Sequence, residues 1–196
     1  NDSRRRQPLT GESPLWGLAR RPRRLPGGRL PNGGYGAMVE LTTGLPGLDR
    51  VLRGVMPGDN IVWQVDSVGD YLALVSPYTE AALREDRRLV YFRFASHERL
   101  IGERPGVEIH RPDPKLGFES FVGQVHRVIE SAGKGAIYVF DCLSELASIW
   151  SADQMLGNFF LLTCPRLFDL ETVTYFSVLR NHHASFALNP ITQTTQ

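Results

Sequence analysis

Four apolar runs, "NIVWQV" (60–65), "RLVYFRF" (88–94), "AIYVFDCL" (136–143) and "TVTYFSVL" (172–179), alternate with segments of helical period. That alternation constrains the fold more than any other feature of the chain. Runs of β-branched and aromatic residues without a polar alternate position suit strands covered on both faces. Between them, "YLALVSPYTEAALRED" (71–86) places Leu72, Val75, Ala82 and Leu83 near one helical face, with Pro77 as an expected kink. "GFESFVGQVHRVIESAG" (117–133) repeats Phe118, Phe121, Val122, Val125, Val128 and Ile129 at i, i+3, i+4 spacing, and Gly133 can cap it. "VEIH" (107–110) reads as a shorter strand closed by "RPDP". "SADQMLGNFFLLTCPRLFD" (151–169) reads as a helix with Ser151 as N-cap, continuing at least to Pro165. Strands alternating with helices imply crossover connections, hence a three-layer α/β domain with a mostly parallel sheet of about five strands. The tail "RNHHASFALNPITQTTQ" offers no evident closing element, so the domain is expected to be incomplete at its C-terminal end.

Charge divides the chain in two. Residues 1–37 hold eight arginines against Asp2 and Glu12, with five prolines and seven glycines, whereas the remainder has a net charge of −5. Such a segment buries too little apolar surface to offset its ordering entropy and is expected to be a disordered arm. It reads as a solvated tail, or as sequence ahead of a native start at Met38. A basic arm spanning residues 4–29 can also bind nucleic acid, although no aromatic residues interleave with its arginines there in the usual way. No stretch approaches 18 uncharged apolar residues, and no apolar core follows the N-terminal arginines. Cys142 and Cys164 are too few for a disulfide framework, so a cytoplasmic setting is expected.

The stretch "TTGLPGLDRVLRGVMPGD" (42–59) resembles the entry segment of KaiC-like members of the RecA superfamily of P-loop ATPases. Thr43, Gly44, Leu45, Gly47, Leu48, Asp49, Leu52, Gly54, Pro57 and Gly58 fit its layout in order. The resemblance covers residues 42 to about 180. It implies a nucleotide-hydrolysing fold, often assembled into hexamers or filaments.

The chemistry of that family does not follow. A working phosphate loop needs G-x-x-x-x-G-K-[ST]: glycines to wrap backbone N–H groups round phosphate, a lysine for the outer oxygens, and a hydroxyl for Mg²⁺. Counted from the strand, those positions hold Val65, Asp70, Tyr71 and Leu72, and the chain's two lysines, Lys115 and Lys134, lie elsewhere. Asp66 and Asp70 add negative charge where the family meets a polyphosphate. "GAIYVFDCLSEL" (135–146) resembles a Walker B strand ending in Asp141, the position that orients Mg²⁺ in the family; Asp141 can equally cap the following turn. Ala95 and Ser96 stand where the family places paired glutamates, and Glu98 follows two residues on.

The runs "GDNIVWQVDSVGDY", "LVYFRFASHE", "YVFDCLSELA" and "LRNHHASF" further resemble a degenerate KaiC-like module at the N-terminus of bacterial PEP/pyruvate-binding proteins related to pyruvate phosphate dikinase. This resemblance implies a regulatory or assembly domain without a cofactor of its own. It would contact copies of itself or a fused or partner phosphotransferase domain. Its possible ligand-binding residues are Asp66, Ser67, Gly69, Asp70, Tyr71 and Asp141. The alternative is a divergent phosphotransferase or ATPase binding Mg·ATP, with Asp141 on the metal and Arg93 or Arg180 in place of the lysine. His182 and His183 could be ligands or a proton carrier, but adjacent side chains diverge on regular elements, and Ser67 and Ser144 lack a G-x-S-x-G elbow.

Overall fold

The computed structural model describes residues 41–195, so the basic arm lies outside the described residues. Five strands form one all-parallel sheet: β1 (Asn60–Val65), β2 (Leu89–Phe92), β3 (Val107–His110), β4 (Ile137–Cys142) and β5 (Val173–Leu179), in the order β1-β5-β4-β2-β3. Six α-helices accompany them: α1 (Pro46–Leu52), α2 (Val68–Arg84), α3 (Phe118–Ala132), α4 (Ser144–Trp150), α5 (Asp153–Asp169) and α6 (Ser185–Thr194). The expected α/β class, parallel sheet and strand count are therefore observed.

The sheet is packed on both faces, which is why its strands read as continuous apolar runs. On one face Leu89, Tyr91, Ile137, Val139 and Tyr175 meet Tyr71, Val75, Tyr78 and Ala82 of α2. On the other, Val90, Phe92, Tyr138, Phe140 and Phe176 meet Phe121, Val125 and Ile129 of α3 and Leu156, Phe159, Phe160 and Leu167 of α5. Phe92, Phe140 and Phe176 stack across three adjacent strands at centroid separations of 4.5 and 4.7 Å. Aromatic pairs at such spacing add to the gain from burying their area.

The entry segment is a self-tied knot. Asp49 accepts from Thr42 Oγ1 at 2.5 Å, Thr43 N at 2.8 Å and Thr43 Oγ1 at 2.7 Å. Burial pushes the Asp49 carboxyl up, but these bonds outweigh it and hold it below its usual range. Gly44 sits at φ +78°, and a Cβ there would lie 2.2 Å from the Pro77 carbonyl oxygen. The glycine thus lets this segment rest directly on α2.

Three expectations need correction. Pro77 lies inside α2, which spans 68 to 84, and the buried face of that helix is led by Tyr71, Val75 and Tyr78, with Leu72 exposed. Ser151 is no N-cap; it ends α4 in the left-handed region (φ 53°), and α5 starts at Asp153. α5 runs on through Pro165 to Asp169, within the extent read from the sequence. The tail does supply a further helix, α6, burying Ala187 and Ile191. A Cβ on Gly157 would meet the Ala187 carbonyl and Pro190 at 3.1 Å, so this glycine admits α6 against α5.

Candidate functional site

At the carboxyl end of β1 the chain has no room for a phosphate cradle. The strand stops at Val65 and α2 begins at Val68, so Asp66 and Ser67 are the whole connection. Ser67 accepts from the Asp70 N–H at 3.2 Å, while the Asp70 carboxylate accepts from Ser67 N at 3.0 Å and Ser67 Oγ at 2.8 Å. This reciprocal capping box uses backbone donors that a phosphate loop would present to a ligand. Gly69 lies within the first turn of α2, where a Cβ would make only an ordinary contact with Ser67 Oγ at 3.5 Å. Nothing there demands a glycine.

Tyr71 points the other way. Its side chain is wholly buried in the α2 face of the core, and its hydroxyl has no hydrogen-bond partner. Burial, with the Tyr175 phenol next in weight, pushes its ionisation well above the ordinary range. The expected phenol at the mouth of the strand ends is instead part of the protein interior. Asp66 remains outside, 3.5 Å from Arg180 Nε in an exposed pair. The parallel register that sets Val65 beside Leu179 brings these two residues together.

Asp141 lies at a different kind of place. The β4–β5 register shifts between Val139 and Cys142, a local irregularity that re-aims side chains at the strand end. The Asp141 carboxylate is fully buried. Its Oδ2 accepts from Arg93 Nη1 at 2.7 Å and from the N–H groups of Phe94 and Ala95, both at 2.8 Å. Its Oδ1 accepts from the Tyr91 hydroxyl, which also accepts the Leu100 N–H at 3.1 Å. A carboxylate offers about four lone-pair positions, and four donors meet this one.

Glu145, in the first turn of α4, holds the next stretch of the same loop. It accepts from Ser96 N at 2.7 Å and Ser96 Oγ at 2.8 Å. Burial pushes its carboxyl up, but the Ser96 bonds and the His97 N–H hold it below its usual value. His97 in turn accepts the Cys142 N–H through Nε2 at 3.3 Å, with Nδ1 2.6 Å from the Glu98 carbonyl, a pairing that fits the Nδ1-protonated tautomer. Residues 93–98 are thereby locked over the ends of β2 and β4. Ala95 and Ser96 serve as donors in this lock.

These residues do not fit a nucleotide-bound magnesium. Asp141 has its acceptor positions filled by protein donors, and a guanidinium sits where a cation would approach. Among the described residues, no group of three or more His, Cys, Asp or Glu side chains could hold a metal ion. Arg93 also donates to the carbonyls of Ala95 and His97, so it is bound within the lock. Arg180 is the candidate lysine substitute that reaches the β1–α2 turn. The end of β2 and Asp141 lie together, whereas β5 separates both from β1.

A second polar cluster joins residues distant in sequence. Ser144 Oγ lies 2.6 Å from His183 Nε2, and His183 Nδ1 lies 3.0 Å from Asp153 Oδ1. The only sequence signals were the pair His182-His183 and a serine just after β4.

A scan against protein-family models finds no match for this chain, and a search of curated proteins finds none. Among the described residues, no helix is long and apolar enough to cross a membrane.

Proposed function

We propose that this domain is a catalytically degenerate KaiC/RecA-like module that acts in regulation or assembly, and that it does not hydrolyse nucleotide. One observation carries the reading: the Asp141 carboxylate, the sole candidate magnesium ligand, is wholly taken up by Tyr91, Arg93, Phe94 and Ala95. The capping box at Ser67 and Asp70 supports it, since a turn that satisfies its own donors has few left for phosphate. Exposed apolar side chains suit a role in contact with other protein. Phe168 lies over Gly58, and Met56 is exposed two residues earlier. The partner is a second copy or a phosphotransferase domain of the pyruvate phosphate dikinase kind, a reading that rests on the likeness of the four runs quoted above.

The test is a melting and turnover experiment on the full chain. Mg·ATP at 100 times its dissociation constant would stabilise a binding protein by roughly 2.7 kcal/mol. The expected result is no ATPase above background and no shift in melting temperature. A shift that Asp141→Asn abolishes would instead establish the divergent ATP-binding reading, for which the Arg180–Asp66 pair at the β1–α2 turn is the favourable observation. Nucleic-acid binding through residues 4–29 lies outside the described residues; it would show as a steep salt dependence lost on truncation to Met38.

A further inference from the structure

The β5–α6 turn carries a chain of hydrogen bonds whose direction is fixed from both ends. Ser144 Oγ accepts the Leu179 N–H at 2.8 Å. With that acceptor position filled by a backbone donor, the hydroxyl proton is directed toward His183 Nε2, 2.6 Å away. At the other end Asp153 Oδ1 lies 3.0 Å from His183 Nδ1, and its Oδ2 accepts the Ala184 N–H at 2.9 Å. These two contacts, the backbone bond foremost, hold the Asp153 carboxyl below its usual range. An ionised carboxylate accepts only, so Nδ1 carries the ring proton and Nε2 is left as a base facing a serine hydroxyl. The imidazole is almost wholly buried, with 2% of its side chain exposed, which limits its rotation to this one arrangement.

A chain of this kind can be a staple alone, pinning the β5–α6 turn onto α4 and α5. Two features point beyond a staple. The proton order is that of a nucleophile, its base and the base's orienting group. Moreover, the three residues line an open cleft of about 210 Å³ with Glu145, Ala147, Ser148, Leu179 and His182. That volume is below the roughly 300–1,000 Å³ typical of pockets for drug-sized ligands, so it suits a short acyl group. The Glu145 carboxylate on its wall disfavours an anionic substrate.

We propose that Ser144 is an activated nucleophile, with His183 as its general base and Asp153 as positioning residue, that takes a short acyl group from a neutral or cationic ester. The Oγ proton passes to His183 Nε2 as Oγ bonds to the acyl carbon. The bond from that carbon to the alcohol oxygen breaks, and the departing alcohol leaves with the proton from the imidazolium. Water, deprotonated by His183, then attacks the acyl carbon; the bond from that carbon to Oγ breaks, Oγ takes the proton back from the imidazolium, and the carboxylic acid is released. Neither step depends on the nucleotide reading.

The full chain is treated with a fluorophosphonate probe and the adduct located by peptide mapping. The expected result is a covalent adduct on Ser144, absent in Ser144→Ala. Asp153→Asn can still accept the Ala184 N–H, but its amide donates to Nδ1 and turns the ring to the Nε2-protonated tautomer. Labelling should slow by about 10³–10⁴-fold while the melting temperature stays close to wild type. A ¹⁵N spectrum of the His183 ring should report the exchange of tautomers. A folded wild-type chain with no adduct on Ser144, or an Asp153→Asn variant that labels at the wild-type rate, would overturn the proposal and leave a staple. The wild-type map stands even where a variant fails to fold.

Discussion

Two strand ends in this sheet face the same problem and solve it differently. At the end of β1, the carboxylate and hydroxyl of Asp70 and Ser67 satisfy each other across three residues. At the ends of β2 and β4, Asp141 gathers donors 46 to 50 residues away. The first region is exposed and nearly self-contained; the second is buried and holds two strands and a loop in one arrangement. A polar group that leaves water needs partners, and the cost of losing them grows with burial. The same residue type is therefore cheap to alter in one place and costly in the other.

Substitutions should grade accordingly. The largest effect is expected for Asp141→Ala, which strands the Arg93 guanidinium and the Phe94 and Ala95 N–H groups. It should cost about 3–5 kcal/mol by urea unfolding, and a loss under about 1 kcal/mol would mean the lock contributes little. Tyr91→Phe removes one donor to Asp141 and the acceptor for Leu100 N, for an expected cost of about 1–2 kcal/mol. Ser67→Ala should cost about 1 kcal/mol, the usual value of an N-cap.

The acid side tests the lock without disturbing its centre. Glu145 has its folded pKa below its unfolded value, so its contribution is present above about pH 4 and fades as pH falls through the folded value. Stability of wild type and Glu145→Gln, measured by urea unfolding at each pH, should differ near neutrality and converge as the pH falls below the ordinary carboxylate range. A gap that persists in acid would mean the Ser96 contacts act independently of the charge. The smallest effect is expected for Arg180→Ala: its pair with Asp66 is more than half exposed on both sides, and such pairs contribute about 0–1 kcal/mol. A larger loss would erase the contrast between the two regions.

Much of the β1 end was legible in the sequence because its chemistry is local. No lysine or paired glycines follow β1, whereas Ser67 and Asp70, read from the sequence as possible ligand-binding residues, cap α2 instead. What misled was the assumption that residues 65–71 remain a loop. The helix starts at Val68, and the period that begins there turns Tyr71 inward beside Val75 and Tyr78. Asp141 was visible as an apolar run ending in an acid. Its partners were not, because Arg93 and Ala95 become neighbours only once β2 lies beside β4. His183 was visible as half of a pair of histidines; its bond to Ser144 depends on β5 lying beside β4 and on α6 turning back over α5.

The sequence by itself determined the class of fold, the parallel strands, the extent of α3 and the lack of a G-x-x-x-x-G-K-[ST] motif after β1. These follow from period, run length and short spacings, which are properties of the chain read in order. Only the tertiary structure decided what Asp141 binds, where Tyr71 points and which serine His183 faces. Those depend on strand order and register, and a one-dimensional pattern of apolar runs is compatible with many orders of strands.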